Sequence, residues 1–412
     1  MRLLHTSDWH LGQALHNYDR AHEHERFLEW LLDTIEEQAV DALLVAGDIF
    51  DNANPSAASQ RQFYRFLQQA KQRAPQLNIV IIAGNHDSPG RLEAPRPLLE
   101  GMKITIVGHV SRLPDGTIDH TQLLVPLVRP DGSVGAWCLA VPFLRPGDVP
   151  RVESDGDPYM DGVALLYRQV LDGALGRRED GQAIIALGHC HMTGGEVSAD
   201  SERRIVVGGA EALSARMFDA PVAYAALGHL HKAQRVAGCE HVRYCGSPIP
   251  MSFAEVDYAH QVLCIDLNGD SVAAIREIRV PRSVELLRIP RHPGTIDEAL
   301  AALHALDIPP LPEIHRHAYL EVRVRLDGPE PGLRAKVEAA LEGKPVRLAK
   351  IDTSTARRVA EHAEPIPVDD LDTLQPDEIF KRLYQARYGS EVSPDQLAAF
   401  TELLLAADRQ PS

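Results

Sequence analysis

The feature that most constrains this chain is a recurring junction. A short apolar run ends, and a turn then delivers a side chain able to hold a metal ion. The runs are Leu3–Thr6, Ala42–Ala46, Ile79–Ala83, Ile104–Val107, Trp137–Val141, Ala183–Leu187, Ile205–Val207, Ala223–Leu227 and Val262–Leu267. Their shortness and Val/Ile/Leu content predict strands buried on both faces. Between the early runs, Phe27, Leu28, Leu31, Leu32 and Ile35 repeat at helical spacing, as do Phe63, Phe66, Leu67 and Ala70 after Pro55-Ser56. Strands alternating with helices predict a layered α/β domain. In such a fold the strand ends converge on one sheet edge, where active sites are built.

Five junctions carry the chemistry: Ser7-Asp8-Trp9-His10, Gly47-Asp48-Ile49-Phe50-Asp51, Gly84-Asn85-His86-Asp87, Gly188-His189-Cys190-His191 and Gly228-His229-Leu230-His231. A lone Asp-x-His or Gly-His is usually a solvated loop. All five in order, each behind an apolar run, outweigh that reading. Residues i and i+2, as in Asp8-x-His10, share a face only if the strand continues; otherwise a turn must aim them. Mixed carboxylate, amide and imidazole groups suit Mn²⁺, Fe²⁺ or Zn²⁺ better than a thiolate-selecting site would. Two such ions ~3.5–4 Å apart activate a water and stabilise both oxygens of an in-line phosphoryl displacement.

A length of 412 residues suggests two or three domains. The formal charge of -16 excludes a histone-like protein that holds nucleic acid through bulk positive charge. It does not exclude a site where metal ions supply that charge. Composition shifts after about residue 275. Residues 276–358 carry 15 Lys+Arg against 12 Asp+Glu and read as a small α+β domain. Within them Ala318–Leu326 alternates Tyr319, Glu321, Arg323 and Arg325 with Leu320, Val322 and Val324, which predicts a half-exposed strand. From Val359 onward 4 Lys+Arg face 11 Asp+Glu. There Glu364-Pro365-Ile366-Pro367 reads as a linker, and Pro376–Tyr388 and Pro394–Ala407 as amphipathic helices too small for a core of their own. The expected division is 1–275 for the catalytic domain, 276–363 for a capping, DNA-binding domain and 364–412 for a helical tail. No signal-peptide pattern or membrane-length apolar run is present. Cys138, Cys190, Cys239, Cys245 and Cys264 form no CxxC pair and read as reduced thiols of a cytoplasmic protein.

At the five junctions the sequence resembles the calcineurin-like metallophosphoesterases, whose pattern is D-x-H, G-D-x-x-D, G-N-H-[DE], G-H and G-H-x-H. Within that family it is similar, along essentially its whole length, to the nuclease subunits of bacterial DNA-end-processing complexes. The residues most specific to that likeness are Leu3–Gly12, Ala46–Asp51 and Tyr244-Cys245-Gly246-Ser247-Pro248. The resemblance implies a sandwich of two central sheets flanked by helices, with a small α+β cap and C-terminal helices. It implies that Asp8, His10, Asp48 and His231 hold one divalent ion and that Asp48, Asn85, His189 and His229 hold the other. Mn²⁺ is the first expectation for both, with Mg²⁺, Fe²⁺ and Zn²⁺ as alternatives. His191 is the alternative ligand to His189, which is preferred because it directly follows Gly188. His86 is implied as general acid and Asp87 as the group that orients it. Some relatives carry His in place of Asp51, so that residue receives no role.

The activity implied is metal-dependent DNA cleavage, exonucleolytic on duplex ends and endonucleolytic on single strands and hairpins, in recombination, replication and repair. The partners implied are DNA and a coiled-coil ATPase, within a heterotetramer that contains a homodimer of this chain. The chain has no phosphate-binding loop of its own, since Gly343-Lys344 is followed by Pro345. The tail helices are implied to dock on the ATPase, and Gln60–Gln72 and Arg91–Gly101 are the candidate dimer helices. Two competing readings are a phosphomonoesterase or cyclic-nucleotide phosphodiesterase on the same scaffold, and a non-catalytic DNA-end-binding scaffold.

Overall fold

Leu3 and Leu4 are adjacent in one strand, both fully buried, and belong to different cores. A strand that is apolar on both faces must lie in the middle of a layered stack. The computed structural model describes residues 1–154, 156–196, 212–326 and 328–355, with positions 380, 381, 384, 385, 392, 393, 396, 397 and 400 beyond them. The chain divides into two units, Met1–Val284 and Glu285–Ser412.

The first unit holds two six-stranded sheets. One runs Ser271–Arg279, Gln261–Asn268, Arg2–Thr6, Ala42–Ala46, Asn78–Ile82, Ile104–Val107. Its last four strands are mutually parallel. The other runs Gln234–Val236, Cys239–Tyr244, Val222–Gly228, Ala183–His189, Val134–Ala140, Leu124–Val128, with its four inner strands parallel. Leu3, Leu44, Val80 and Ile82 of the first sheet share a core with Ile184, Ala186, Tyr224 and Ala226 of the second. The outer face of the first sheet packs on helices Ala21–Glu37 and Ala57–Arg73 through Phe27, Leu31, Phe63 and Phe66. Trp9 lies among these rings edge-on, 5.8 Å from Phe27 and 5.3 Å from Phe66. Its indole nitrogen donates to Thr6 Oγ1 at 2.9 Å, so the residue between Asp8 and His10 is locked into the core. The second unit is a three-stranded parallel sheet, Leu286–Gly294, Ala318–Leu326, Val346–Thr355, with helices Ile296–His304 and Leu333–Ala340 sharing its core.

The layered α/β expectation holds, and several details differ. The expected boundary at residue 275 falls inside the strand Ser271–Arg279, which pairs with Gln261–Asn268 along its whole length and so belongs to the first unit. That strand and Leu124–Val128 are sheet edges absent from the expected strands; the second is an apolar run broken by an exposed Pro126, which an edge tolerates. Tyr319 and Glu321, expected on an exposed face, are buried. The Arg347 guanidinium lies 3.8 Å over the Tyr319 ring, while Arg288 and Lys350 pair with Glu321 at 3.2 and 3.4 Å. The expected strand Ile205–Val207 and linker 364–367 lie outside the described residues, as does most of the expected helical tail.

His5 sits between the two sheets, with Nδ1 2.9 Å from the Tyr224 hydroxyl and Nε2 3.2 Å from the Leu227 carbonyl oxygen. Burial pushes its pKa down to about 3. The unfolded chain therefore takes up a proton below about pH 6.5 that the folded chain refuses. The contribution of neutral His5 is complete above about pH 6.5 and is lost as pH falls toward about 3. We expect the urea-unfolding free energy to decline over that window, with His5 responsible for up to ~1.4 kcal/mol per pH unit. His5→Gln should make the decline shallower by one proton; an unchanged slope would rule His5 out as its source.

Candidate metal centre

Both sheets send the carboxyl ends of their inner strands to one place. The first delivers Asp8 and His10, Asp48, then Asn85 and His86; the second delivers His189, then His229 and His231. A turn rather than a continued strand aims Asp8 and His10. Asp8, His10 and Asp48 adopt left-handed backbone, with φ of 54°, 46° and 49°, and His229 has φ of 102°. These values are rare for residues with a Cβ and gather at sites the surrounding structure holds in place. The holding bonds are Asp8 N–H to the Gly47 carbonyl and His10 N–H to the Asp48 carbonyl, both 3.0 Å. His229 N–H donates in turn to Asp8 Oδ1 at 3.0 Å. Two glycines let the loops close. A Cβ on Gly84 would lie 2.1 Å from Asp48 Oδ1, and one on Gly228 would lie 1.9 Å from the Ala46 carbonyl oxygen.

Asp48 is the centre of the group. Its Oδ1 accepts the His86 N–H at 2.8 Å, while Oδ2 lies 3.4 Å from His189 Nε2 and 3.7 Å from His10 Nε2. Burial works against ionisation of this carboxylate. The His189, His10 and His86 imidazoles, with a hydrogen bond from His189, outweigh it and hold the pKa well below the usual carboxylate range. His189 shows the reciprocal effect. Burial opposes its charge, but Asp48 and Asp8 push its pKa up to about 9. Burial and the neighbouring His189 drive His229 the other way, well below its ordinary value.

The donor set fits divalent ions on three observations. Asp8, His10 and His231 bring ligand atoms within 4.8 Å of one another, as do Asp8, Asp48 and His189, and His10, Asp48 and His86. His10 Nε2 is buried and has no hydrogen-bond partner. His189 Nδ1 donates to the Ala46 carbonyl at 2.9 Å, so its Nε2 is the atom turned toward the Asn85 amide oxygen at 2.9 Å and Asp48 Oδ2. A ring nitrogen wedged between two acceptor oxygens marks a place for a cation. Asn85 Oδ1 is also 3.2 Å from His229 Nδ1. His189 therefore belongs to the cluster; His191 is in none of the three groups found among the described residues.

The expected partnership of Asp87 with the His86 ring requires correction. Asp87 is buried, and its two oxygens accept the backbone N–H groups of Ile49, Phe50 and Gly84 at 2.9–3.1 Å. It ties the second loop to the third. The His86 ring is instead held through Nδ1 by the Asp51 carbonyl oxygen at 2.7 Å. A role for the Asp51 backbone had no sequence signal, because a carbonyl is the same in every residue. Sequence reasoning also missed Glu255, which is fully buried and lies 2.8 Å from His231 Nδ1, and the buried pair Arg20–Glu23, whose guanidinium donates to the Pro250 carbonyl at 2.6 Å.

Fold and site together define a calcineurin-like metallophosphoesterase with a divalent-metal centre. The calcineurin-like phosphoesterase family matches residues 1–233, and the Type 5 capsule protein repressor C-terminal domain family matches residues 282–388. The chain is 39% identical over 386 residues to the D subunit of Nuclease SbcCD from Rhodobacter capsulatus, covering 92% of this chain and 93% of the relative. It is 32% identical to the Escherichia coli K12 protein of the same name over 93% and 92% of the two chains. The Bacillus subtilis counterpart is 35% identical over 70% and 72%. The chain belongs to the family of SbcCD nuclease D subunits. Among the described residues, no helix is long and apolar enough to cross a membrane.

Removing the Asp87 carboxylate leaves three buried amides without their acceptor. We expect Asp87→Ala to lower the urea-unfolding free energy by on the order of 3 kcal/mol or more, and Asp87→Asn, which keeps one acceptor oxygen, by less. A loss near zero in both variants would show that these amides find other partners.

Proposed function

We propose that this chain is the nuclease component of a DNA-end-processing complex and hydrolyses DNA phosphodiesters at a two-metal centre. The observation that carries the reading is Asp48 Oδ2, set between His10 Nε2 and His189 Nε2 at the meeting of two sheet edges. Asp8, His10, Asp48 and His231 would hold one ion, and Asp48, Asn85, His189 and His229 would hold the other. When bound, the pair supplies an activated water and neutralises charge on the phosphodiester, and Mn²⁺ is the ion we favour. The chain's own residues supply orientation and a proton. His86 is half-buried, on the open side of the site. The Asp51 carbonyl accepts from Nδ1–H, so Nε2 is the nitrogen left to face the leaving oxygen; in the imidazolium form Nε2–H gives its proton there and the ring returns to the neutral Nδ1–H tautomer. The His10 ring, 4.9 Å away and perpendicular, restricts its rotation.

The relatives are named as subunits of a nuclease, SbcCD, and we propose an SbcC-type coiled-coil ATPase as the partner here. The tail is the proposed docking element; within it the Phe380 and Phe400 rings stack 4.1 Å apart. A homodimer within a heterotetramer is the proposed assembly. Helix Ala57–Arg73 and the short helices Pro89–Glu93 and Arg96–Leu99 are its candidate contacts, where Leu98 is 79% exposed. A cytoplasmic setting agrees with five free cysteines.

Replacing His86 with Ala should cost about 10²–10⁴ in the cleavage rate of a blunt duplex with Mn²⁺, with calorimetric Mn²⁺ binding unchanged. Full activity with metals bound would remove His86 from the mechanism. A small chromogenic phosphodiester cleaved far faster than duplex DNA would favour the small-substrate reading instead. Deleting residues 371–412 should leave Mn²⁺ binding intact and abolish co-purification with the ATPase; retained co-purification would place the docking surface elsewhere.

A further inference from the structure

The chain after the strand Cys239–Tyr244 folds back around His231. Ser247 N–H donates to the His231 carbonyl at 3.1 Å, and a Cβ on Gly246 would lie 2.7 Å from that same oxygen. The loop then makes the short turn Phe253–Glu255, which places a fully buried carboxylate behind the His231 ring. One oxygen, Oε1, lies 2.8 Å from His231 Nδ1; the other, Oε2, accepts the Met251 N–H at 2.7 Å. His260 lies beside this loop with Nδ1 2.9 Å from the Ser247 carbonyl oxygen and Nε2 3.2 Å from that of Glu255, so the one N–H of the neutral ring ties the loop at one of these two carbonyls.

We propose that Glu255 is a positioning residue that sets the tautomer and ring plane of His231 for the ion shared with Asp8 and His10; this rests on the metal reading above. A carboxylate offers only acceptors, so the hydrogen between it and the imidazole belongs to His231 Nδ1. Nε2 is then the nitrogen presented to Asp8 and His10. A metal-binding imidazole backed by a carboxylate is fixed in orientation, and loss of such backing typically costs about 10- to 100-fold in metal affinity. The other ion's histidine is backed differently. His189 Nδ1 donates to the Ala46 carbonyl, a group that substitution at position 255 does not touch. The effect of Glu255 is therefore confined to one of two ions, which a general packing defect would not reproduce.

The test uses the full chain with ¹⁵N-labelled histidine. Long-range ¹H–¹⁵N correlation spectra of the metal-free protein report the His231 tautomer, and Mn²⁺ titration calorimetry reports both affinities. Wild-type protein should show His231 protonated at Nδ1 and should take up two Mn²⁺. Glu255→Leu should lose that fixed tautomer and weaken one Mn²⁺ about 10- to 100-fold, leaving the other within a few-fold. Glu255→Gln fills the same space and keeps an acceptor oxygen for Nδ1, so it should recover most of the lost affinity. Two bound ions in the wild type with unchanged affinities in both variants would overturn the role of Glu255 alone. So would equal weakening of both ions, or a His231 ring protonated at Nε2 in the wild type. Wild-type protein that binds no Mn²⁺ would overturn the metal reading and this proposal with it.

Discussion

The two oxygens of Asp48 have different tasks, and much of the site follows from that division. Oδ1 is committed to the backbone of the loop after Asn78–Ile82, while Oδ2 faces one imidazole from each sheet. Taking a carboxylate out of water is costly, and here opposite charge close by offsets the cost. Because His10 and His189 enter from different sheets, the same electrostatic balance that keeps Asp48 ionised draws two sheet edges together. The edges can close that far only because Gly84 and Gly228 carry no side chain where Asp48 and the Ala46 carbonyl lie.

Closure at this point carries a conformational cost. Asp8, His10, Asp48 and His229 sit in left-handed backbone, a region that disfavours residues with a Cβ by about 1–3 kcal/mol each. The compensation is local and polar: interloop backbone bonds, the Asp8 carboxylate accepting the His229 N–H, and Asp87 gathering three amides from two loops. Apolar packing contributes through Trp9, whose ring is sealed among Phe27, Phe63 and Phe66. With Trp9 fixed, residues 8 and 10 on either side of it have little freedom to relax.

How much of this was legible in the sequence depends on whether a side chain or a backbone does the work. Runs such as Ala42–Ala46 were readable because burial on both faces leaves no polar position in them. The order of the motifs was readable because strand ends recur at one sheet edge. Ser271–Arg279 was not, since this edge strand has no buried residue and its exposed positions do not follow a strict two-residue alternation. The Asp87 expectation followed from its adjacency to His86. The chain turns between them, so the carboxylate meets backbone amides while a carbonyl 35 positions upstream holds the ring. Glu255 lies 24 positions beyond His231, and no local spacing marks such a pairing.

The imidazoles show why a residue list underdetermines a site of this kind. Three of them are set by acceptors at Nδ1: Ala46 carbonyl for His189, Asp51 carbonyl for His86 and the Glu255 carboxylate for His231. In each case the acceptor determines which nitrogen faces the centre, and two of the three are main-chain atoms. His229 follows a different rule, turning Nδ1 itself toward Asn85. The chemistry therefore resides in a pattern of protonated nitrogens that is imposed by loops brought together from both sheets. It also bears on the net charge of -16. The carboxylates of Asp8 and Asp48 are buried within the cluster, not spread over a surface that a phosphate backbone approaches. An acidic total is thus compatible with a site for an anionic substrate, because the charge that matters is enclosed and matched to cations.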